Sequence, residues 1–309
     1  MGSVPDIDEA IARALLFDGR ASFSDLSRQL NISRSTVAAR VAALVGSGQL
    51  RVVAVVHPQL LGLNATAHLS IALTGSATEA IAKLVTRESC VFVSSTAGEF
   101  GVMVELRLPT MRELEREIED IRGLEGVGAV EVLVYQEISR SFFLAEAPDL
   151  KRLELDEVDL LVMSELQGNG RMGFGELGER VGLSASAARA RLMRLLEANA
   201  MQIGAIRRRD ARSPNFALGL GIRTHGRAKS VVDELGQFAG IEFVARCFGR
   251  FDIVATVAID SAAAASGVLD RLRSLDHVVS VESWAHLQIL KEDYQKPLQS
   301  LVKSARKKS

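Results

Sequence analysis

Residues 22–48 read SFSDLSRQLNISRSTVAARVAALVGSG, and this stretch decides the fold of the first part of the chain. Ser22 stands three positions before Asp25, which is the spacing of a capping box at the start of a short helix. A turn at Asn31 follows, and Ser33 can cap the next helix. The apolar residues of that helix recur at helical spacing: Val37, Val41, Leu44 and Val45. With an earlier helix that stops at Asp18-Gly19, this order predicts a helix-turn-helix unit.

The same signals occur twice in the 309 residues. Gly19-Arg20 returns as Gly170-Arg171, and Gly98-Glu99-Phe100 returns as Gly249-Arg250-Phe251, each time 151 positions later. A constant displacement at two distant places indicates two tandem copies of one unit. In the second copy, the predicted third helix runs over 185–198.

Behind each helical part the apolar period shortens toward two, which predicts strands. The elements of copy one are a strand near 52–56, then strands at 68–73, 91–95, 102–108 and 128–136, with helices at 78–86 and 111–122. Those of copy two are strands at 217–223, 242–246, 253–259 and 278–287, with helices at 228–238 and 261–275. This β-α-β-β-α-β order is that of a ferredoxin-like domain.

The sequence therefore predicts an α+β protein with two tandem copies of a three-helix winged helix-turn-helix domain, each followed by a ferredoxin-like βαββαβ domain. The predicted boundaries are 1–50 and 153–201 for the helix-turn-helix domains, 51–144 and 202–294 for the ferredoxin-like domains, 145–152 for a linker and 295–309 for a mobile basic tail.

Composition gives an ordinary globular profile, with 48% hydrophobic residues, 24% charged residues and a formal net charge of −1. The charge is uneven, because no Asp or Glu occurs between Leu26 and Thr78 although that stretch contains four arginines. A local basic face matters more than the net sum when the partner is phosphate, but a merely solvated face has the same composition.

Cys90 and Cys247 are not at equivalent positions in the two copies, and their spacing fits neither a disulfide framework nor a metal site. We expect both to be small core residues. No apolar run approaches the roughly 20 residues of a membrane span, and the first ten residues lack the pattern of a secretory signal. The sequence predicts a cytoplasmic protein with no metal and no cofactor.

Short matches in both copies follow the order found in one known family. In copy one they are Ile7-Asp8, Gly19-Arg20, Leu26, Leu30, Ile32-Ser33, Thr36-Val37, Arg40-Val41, Leu44, Gly48, Leu50 and Gly98-Glu99-Phe100-Gly101. In copy two they are Leu155-Asp156, Val158-Asp159, Gly170-Arg171, Leu177, Leu183-Ser184, Arg191-Leu192, Leu195 and Gly249-Arg250-Phe251-Asp252. Their joint order resembles the Lrp/AsnC (leucine-responsive and asparagine-responsive) transcription regulators.

The resemblance implies a sequence-specific DNA-binding regulator rather than an enzyme. Members of that family usually carry one unit per chain and assemble as dimers or higher oligomers. They bind double-stranded DNA through the third helix and sense a small molecule, often an amino acid, with the ferredoxin-like half. The implied partners are therefore double-stranded DNA, a small effector and further copies of the chain, with no membrane. A fused duplicate resembles a built-in pseudo-dimer.

The candidate DNA-binding residues lie early in each third helix, because that end enters the major groove first. In copy one, Arg34 could contact a guanine edge or a phosphate, Ser35 and Thr36 could bond to either, and Arg40 could reach a phosphate. Copy two has Ala185-Ser186-Ala187 at the equivalent place. Its positive charge follows later, in Arg189, Arg191, Arg194 and Arg207-Arg208-Arg209. Copy one would then specify the sequence and copy two would anchor phosphates.

The candidate effector residues surround the Gly-x-Phe turns. In copy two, Arg246, Gly249, Arg250 and Asp252 could hold the carboxylate and the amine of a zwitterion, although Arg250 and Asp252 could equally be solvated turn residues. Gly98 marks the equivalent turn of copy one. Gly101 replaces the Asp of the family pattern there, which puts that site in doubt.

Two other functions remain open at this stage. The sirohaem decarboxylases share this architecture, but they rely on a basic, His-containing stretch at the turn between the two middle strands. Neither of the corresponding turns in this chain contains His. No catalytic constellation is evident, so we predict no catalytic residues. The third helix of copy two offers few groups that can bond to base edges. The chain could therefore also be an architectural protein that organises DNA without strong sequence preference. The basic tail could be a DNA-binding arm or a terminal segment without a role in DNA binding.

Overall fold

The computed structural model describes residues 7–75, 77–141, 148, 153–207, 216–226, 228–238 and 240–298. The predicted linker apart from Pro148, the tail from residue 299 onward, and Arg208 and Arg209 lie outside these residues. The chain divides into two units. The first combines segments 1–61, 142–208 and 295–309, and the second combines 62–141 and 209–294.

The helices agree with the predicted ones to within a few residues at their ends. They are α1 (Ile7–Phe17), α2 (Phe23–Leu30), α3 (Arg34–Gly46), α4 (Ala77–Thr86), α5 (Met111–Arg122), α6 (Glu157–Gly168), α7 (Phe174–Val181), α8 (Ala185–Glu197), α9 (Ala228–Leu235) and α10 (Ala262–Arg273). The strands are β1 (Leu50–Val56), β2 (Ala65–Leu73), β3 (Cys90–Ala97), β4 (Val102–Leu108), β5 (Val127–Arg140), β6 (Met201–Arg207), β7 (Phe216–Thr224), β8 (Ile241–Phe248), β9 (Ile253–Ile259) and β10 (Val278–Glu292).

Local capping explains why the helices of the first unit begin and end where they do. The Ser22 hydroxyl accepts the Asp25 N–H at 3.0 Å and starts α2, which ends at Asn31 with φ of 53°. The Ser33 hydroxyl caps α3 by accepting the Thr36 N–H at 3.0 Å. In copy two, Gly182 replaces Asn31 with φ of 74°, and Ser184 caps α8. Both helix-turn-helix predictions are therefore confirmed.

The two heads, α1–α3 and α6–α8, share one hydrophobic cluster in the first unit. Strand β1 pairs antiparallel with β6, from Leu50 opposite Arg207 to Val56 opposite Met201. The sequence predicted a wing for each head but gave no partner for either wing strand. The two strands satisfy their backbone hydrogen bonds with each other and form one ribbon shared by both heads.

The second unit is a closed barrel with strand order β10-β3-β4-β2-β5-β8-β9-β7. The pairs of β2 with β4 recur between β7 and β9 at a shift of 151 positions; His68 faces Glu105, and Gly219 faces Thr256. Helices α4 and α5 cover the apolar outer face of the copy-one strands, and α9 and α10 cover that of copy two.

Strands β5 and β10 extend to Arg140 and Glu292, beyond the predicted ends at residues 136 and 287. The additional residues pair with β8 and β3 of the other copy, and these pairings close the barrel. The sequence predicted two separate sheets, so this closure is a correction. It leaves the described barrel strands with neighbours on both sides, which removes the exposed edges of two isolated sheets.

Both cysteines are buried free thiols, and burial raises the pKa of Cys90 to about 11 and that of Cys247 to about 12. Among the described helices, none combines the length and the apolar character needed to cross a bilayer.

Candidate DNA-binding surface and effector site

The first turn of α3 exposes the residues predicted to contact DNA. Arg34 and Ser35 are exposed and Thr36 is half-buried. The hydroxyls of Ser35 and Thr36 each lie 2.8 Å from the Ser33 hydroxyl, so Ser33 organises this end of the helix as well as capping it. Arg34 makes no ion pair with any residue that the structure describes. Its guanidinium is therefore available to an external partner.

Arg40 lies further along α3 and is paired within its own head. Its Nη1 is 3.6 Å from Asp8 of α1, and its side chain is 53% exposed. Arg191 and Asp159 of copy two stand at the equivalent positions and are 3.0 Å apart. This pair thus joins the first and third helices in both heads.

In copy two this pair is part of a larger network around a buried carboxylate. The Asp159 side chain is 1% exposed, and it binds Arg191, Arg194 and the backbone N–H of Asp156. Arg191 also binds Asp156 at 2.5 Å, and these hydrogen bonds raise its pKa. Arg191 and Arg194 are thus held by carboxylates of their own head. Arg189 is exposed, with its guanidinium 6.0 Å from the Phe174 ring centre.

The repeated Gly-Arg pairs lock the two heads together. Arg20 donates to the carbonyls of Gly170 at 2.7 Å and Met172 at 3.0 Å, and its guanidinium lies over the Phe174 ring. Arg171 makes the mirrored contacts: the carbonyl of Gly19 at 2.7 Å, the carbonyl of Ala21 at 3.2 Å, and the Phe23 ring. We call Arg20 and Arg171 the arginine clamp.

The two glycines of these pairs approach the shared ribbon closely. The Gly19 N–H donates to the Ile203 carbonyl of β6 and the Gly170 N–H to the Val52 carbonyl of β1, both at 2.9 Å. A Cβ on Gly19 would overlap Val52, and one on Gly170 would crowd Ile203. The sequence revealed this motif only as a repeat; its reciprocal contacts could not be read because they join residues about 150 positions apart.

The predicted effector residues of copy two each have an internal partner. Arg246 binds Glu137 at 3.0 Å, and Asp252 accepts the Thr224 N–H at 2.6 Å. Arg250 lies over the rings of Phe100 and Phe251 at 4.9 and 4.4 Å. The structure thus brings the two Gly-x-Phe turns together around Arg250, and each of the three predicted side chains is engaged by groups of the barrel.

Arg250 is also held by two carboxylates, Glu131 at 2.5 Å and Glu282 at 3.1 Å. The turn glycines Gly98 and Gly249 have φ values of 130° and 145°, which favour glycine. An added Cβ would have open space at Gly98, whereas at Gly249 it would press on Leu133. The turn of copy one is thus the more open of the two.

Acidification is expected to destabilise the barrel through His68. Burial, with a smaller contribution from the Arg250 guanidinium, lowers the pKa of this imidazole to about 4. Unfolded His68 binds a proton below about pH 6.5 while the folded form stays neutral, so the free energy of unfolding decreases as the pH falls toward 4. Urea unfolding at pH 7 and pH 4.5 should show a loss of about 2 kcal/mol that is absent from His68→Gln. Equal losses in the two proteins would contradict this assignment.

The fold indicates the class of protein: it carries two helix-turn-helix heads fused in one chain. The AsnC-type helix-turn-helix domain model matches residues 6–45 and 155–196, which cover both heads. The chain is 30% identical over 142 residues to the uncharacterised HTH-type transcriptional regulator PH0140 of Pyrococcus horikoshii, covering 87% of that protein and 44% of this one. It is 28% identical over 141 residues to the HTH-type transcriptional regulator FL11 of Pyrococcus furiosus, covering 93% of that protein and 45% of this one.

The chain therefore belongs to the Lrp/AsnC family of helix-turn-helix transcriptional regulators. These two relatives each correspond in length to about one copy of the duplicated unit. A similarity along the whole chain is found to the crystal structure of the siroheme decarboxylase NirDL, with a TM-score of 0.60, 15% identity, and coverage of 98% of this chain and 99% of that one. At that identity the likeness concerns the fold alone.

Proposed function

We propose that one chain is a sequence-specific transcription regulator whose two heads have different tasks: α3 reads bases and α8 anchors the DNA backbone. The observation that carries this proposal is that the heads share one core but differ in the first turn of the third helix. Copy one offers Arg34-Ser35-Thr36, whereas copy two offers Ala185-Ser186-Ala187. Arginine and hydroxyl groups can bond to base edges, but alanine methyl groups offer only apolar contact.

The contacts refine which arginines serve DNA in this proposal. Arg34 and Arg189 are exposed and have no carboxylate partner within the described residues. Arg40, Arg191 and Arg194 are each paired with an aspartate of their own head. We therefore assign base reading to Arg34, Ser35 and Thr36, assign phosphate anchoring first to Arg189, and keep the three paired arginines as secondary phosphate contacts.

We also propose the remaining predicted features for this chain. The repeated strand register supports two ferredoxin-like domains derived by duplication. Strands β1 and β6, which the predicted ranges 51–144 and 202–294 include, belong to the unit of the heads instead. A small effector, such as an amino acid, would act at the turns around Arg250. Assembly into homo-oligomers would use exposed apolar side chains such as Phe248 and Val279, which are 63% and 65% exposed. As a DNA-binding regulator, the protein would work in the cytoplasm.

Selection of bound duplexes from a random pool tests the division of tasks. Arg34→Ala/Thr36→Ala should relax base preference at one half-site, with a loss of about 1–3 kcal/mol of discrimination per base contact. Arg189→Ala should weaken binding to all duplexes alike and reduce the salt dependence. Arg13→Ala, a half-exposed arginine on α1, is the matched control. Equal loss of base preference in the two test variants would overturn the proposal.

The whole-chain likeness to NirDL keeps a second candidate function, sirohaem decarboxylation. Neither Gly-x-Phe turn contains His, which argues against it. Incubation of the protein with sirohaem, followed by mass spectrometry, separates the two functions: a decarboxylated product would establish the enzyme, and unchanged sirohaem would support the regulator. An architectural protein would instead show continuous protection of genomic fragments.

A further inference from the structure

The two halves of the barrel interior are filled differently. In copy two, Gly219 and Gly221 of β7 face inward, and an added Cβ at either one would overlap the ring of Trp284 or of Phe251. In copy one, the equivalent positions of β2 hold His68 and Ser70, which are 6% and 2% exposed. Aromatic rings therefore fill the space beside β7, whereas β2 places polar side chains at the equivalent positions, next to the apolar Met103 and Leu133 of the same copy. We call the side of the interior that holds His68 and Ser70 the polar half.

Strand β4 adds a buried charged pair to the polar half. The Arg107 and Glu105 side chains are 2% and 7% exposed, and the Arg107 Nε donates to Glu105 at 2.8 Å. Glu105 lies directly opposite His68 in the ladder of β2 and β4. The equivalent positions of β9 carry Thr256 and Ala258, so the fold itself does not require an ion pair there.

Two nitrogen atoms of this polar half are buried without a hydrogen bond. The His68 Nε2 and the Arg107 Nη2 have no hydrogen-bond partner among the described residues. Buried donors are nearly always paired with protein, water or ligand, and each exception needs an explanation. Glu105 engages the Nε of Arg107, and the guanidinium lies 4.8 Å from the centre of the Tyr294 ring, so the Nη2 is the group that keeps its donors available.

We propose that the copy-one half of the barrel interior, formed by His68, Glu105 and Arg107, binds a small monocarboxylate. The Arg107 Nη2 would donate to one carboxylate oxygen and the His68 Nε2–H to the other. Guanidinium is the side-chain group best matched to a carboxylate, and Glu105 fixes its orientation through Nε. The site uses side chains of β2 and β4 rather than those of the Gly-x-Phe turns, although the Arg250 guanidinium is near enough to act on His68. It does not depend on DNA binding by the heads.

Trp284 provides a direct signal for this site. It is the only tryptophan of the chain, and its ring centre lies 5.8 Å from that of His68. Its Nε1 donates to His286, which also contacts the Ser94 hydroxyl at 2.6 Å. A carboxylate that binds His68 changes the surroundings of this indole.

The test is a fluorescence titration of the full chain at pH 7 with sodium pyruvate, sodium acetate and L-alanine, with sodium chloride keeping the ionic strength constant. The wild type should show a saturable change in Trp284 emission with at least one of the three probes. Glu105→Thr/Arg107→Ala, which installs the residues of β9, should weaken that response at least tenfold. The exposed variant Arg112→Ala should respond like the wild type.

An unchanged emission with all three probes, a response of equal affinity in the double variant, or the same change with chloride alone would each overturn the inference. If circular dichroism shows that the double variant is unfolded, His68→Leu replaces it, with the same tenfold weakening expected. Duplex binding measured on the same samples separates this result from the proposed function, since the heads can bind DNA whether or not the barrel binds a carboxylate.

Discussion

The double variant Arg20→Ala/Arg171→Ala is expected to bind its selected duplex at least tenfold more weakly than the wild type and to unfold at a lower temperature. The four hydrogen bonds of the arginine clamp join backbone carbonyls of one head to a guanidinium of the other. Hydrogen bonds from charged groups contribute about 1.5–3 kcal/mol each. Because both guanidiniums are only half-buried, we expect a combined loss near 4 kcal/mol in the stability of the head unit.

The affinity decreases for a second reason. Two recognition helices held at one separation bind DNA without the entropic cost of bringing them into register. Arg20→Lys/Arg171→Lys keeps both charges but lacks the planar fork, so it separates geometry from electrostatic attraction. We expect it to resemble the alanine variant in thermal denaturation. Wild-type affinity together with a wild-type melting temperature in the alanine variant would contradict the clamp.

Arg191→Ala/Arg194→Ala is expected to lower the free energy of unfolding of the head unit by about 3 kcal/mol. The substitution leaves the Asp159 carboxylate, 1% exposed, without either cationic partner. Breaking a fully buried pair costs more, but the two guanidiniums here are 30% and 45% exposed, which reduces the effect. Urea denaturation followed by circular dichroism measures the difference.

The matched control is Arg180→Ala, because Arg180 forms ion pairs with Glu165 and Glu176 at the surface of the same head. We expect it to unfold like the wild type. A double variant as stable as this control would show that Arg191 and Arg194 are free to bind phosphate, as the sequence suggested. If the double variant is destabilised, then reduced DNA binding by Arg191 variants results from the loss of stability of the head and not from a lost phosphate contact.

Local signals were sufficient to predict the helices. Ser33 and Ser184 cap α3 and α8 as expected, because a cap depends on backbone N–H groups only three residues away. The β1–β6 ribbon and the closure of the barrel through β5–β8 and β10–β3 could not be predicted. These contacts join residues from different copies, and no periodicity in either strand identifies its partner.

The candidate site was harder to predict for the same reason. Arg34 and Arg191 look alike in the sequence, since both are arginines on a third helix. Only the structure places a buried carboxylate against Arg191 and leaves Arg34 without one in the described chain. The polar barrel interior was missed entirely, because His68 and Arg107 are scattered in the sequence and meet only through the pairing of β2 with β4.

The most direct test of the central idea, two unequal reading heads on one chain, is a hydroxyl-radical footprint on a selected duplex with the wild type and with Arg34→Ala. We expect two protected segments about one helical turn apart on one face of the DNA. Arg34→Ala should change the sequence dependence of only one of these segments. Uniform protection of any duplex, or no retention of duplex at low ionic strength, would contradict the idea of two unequal reading heads.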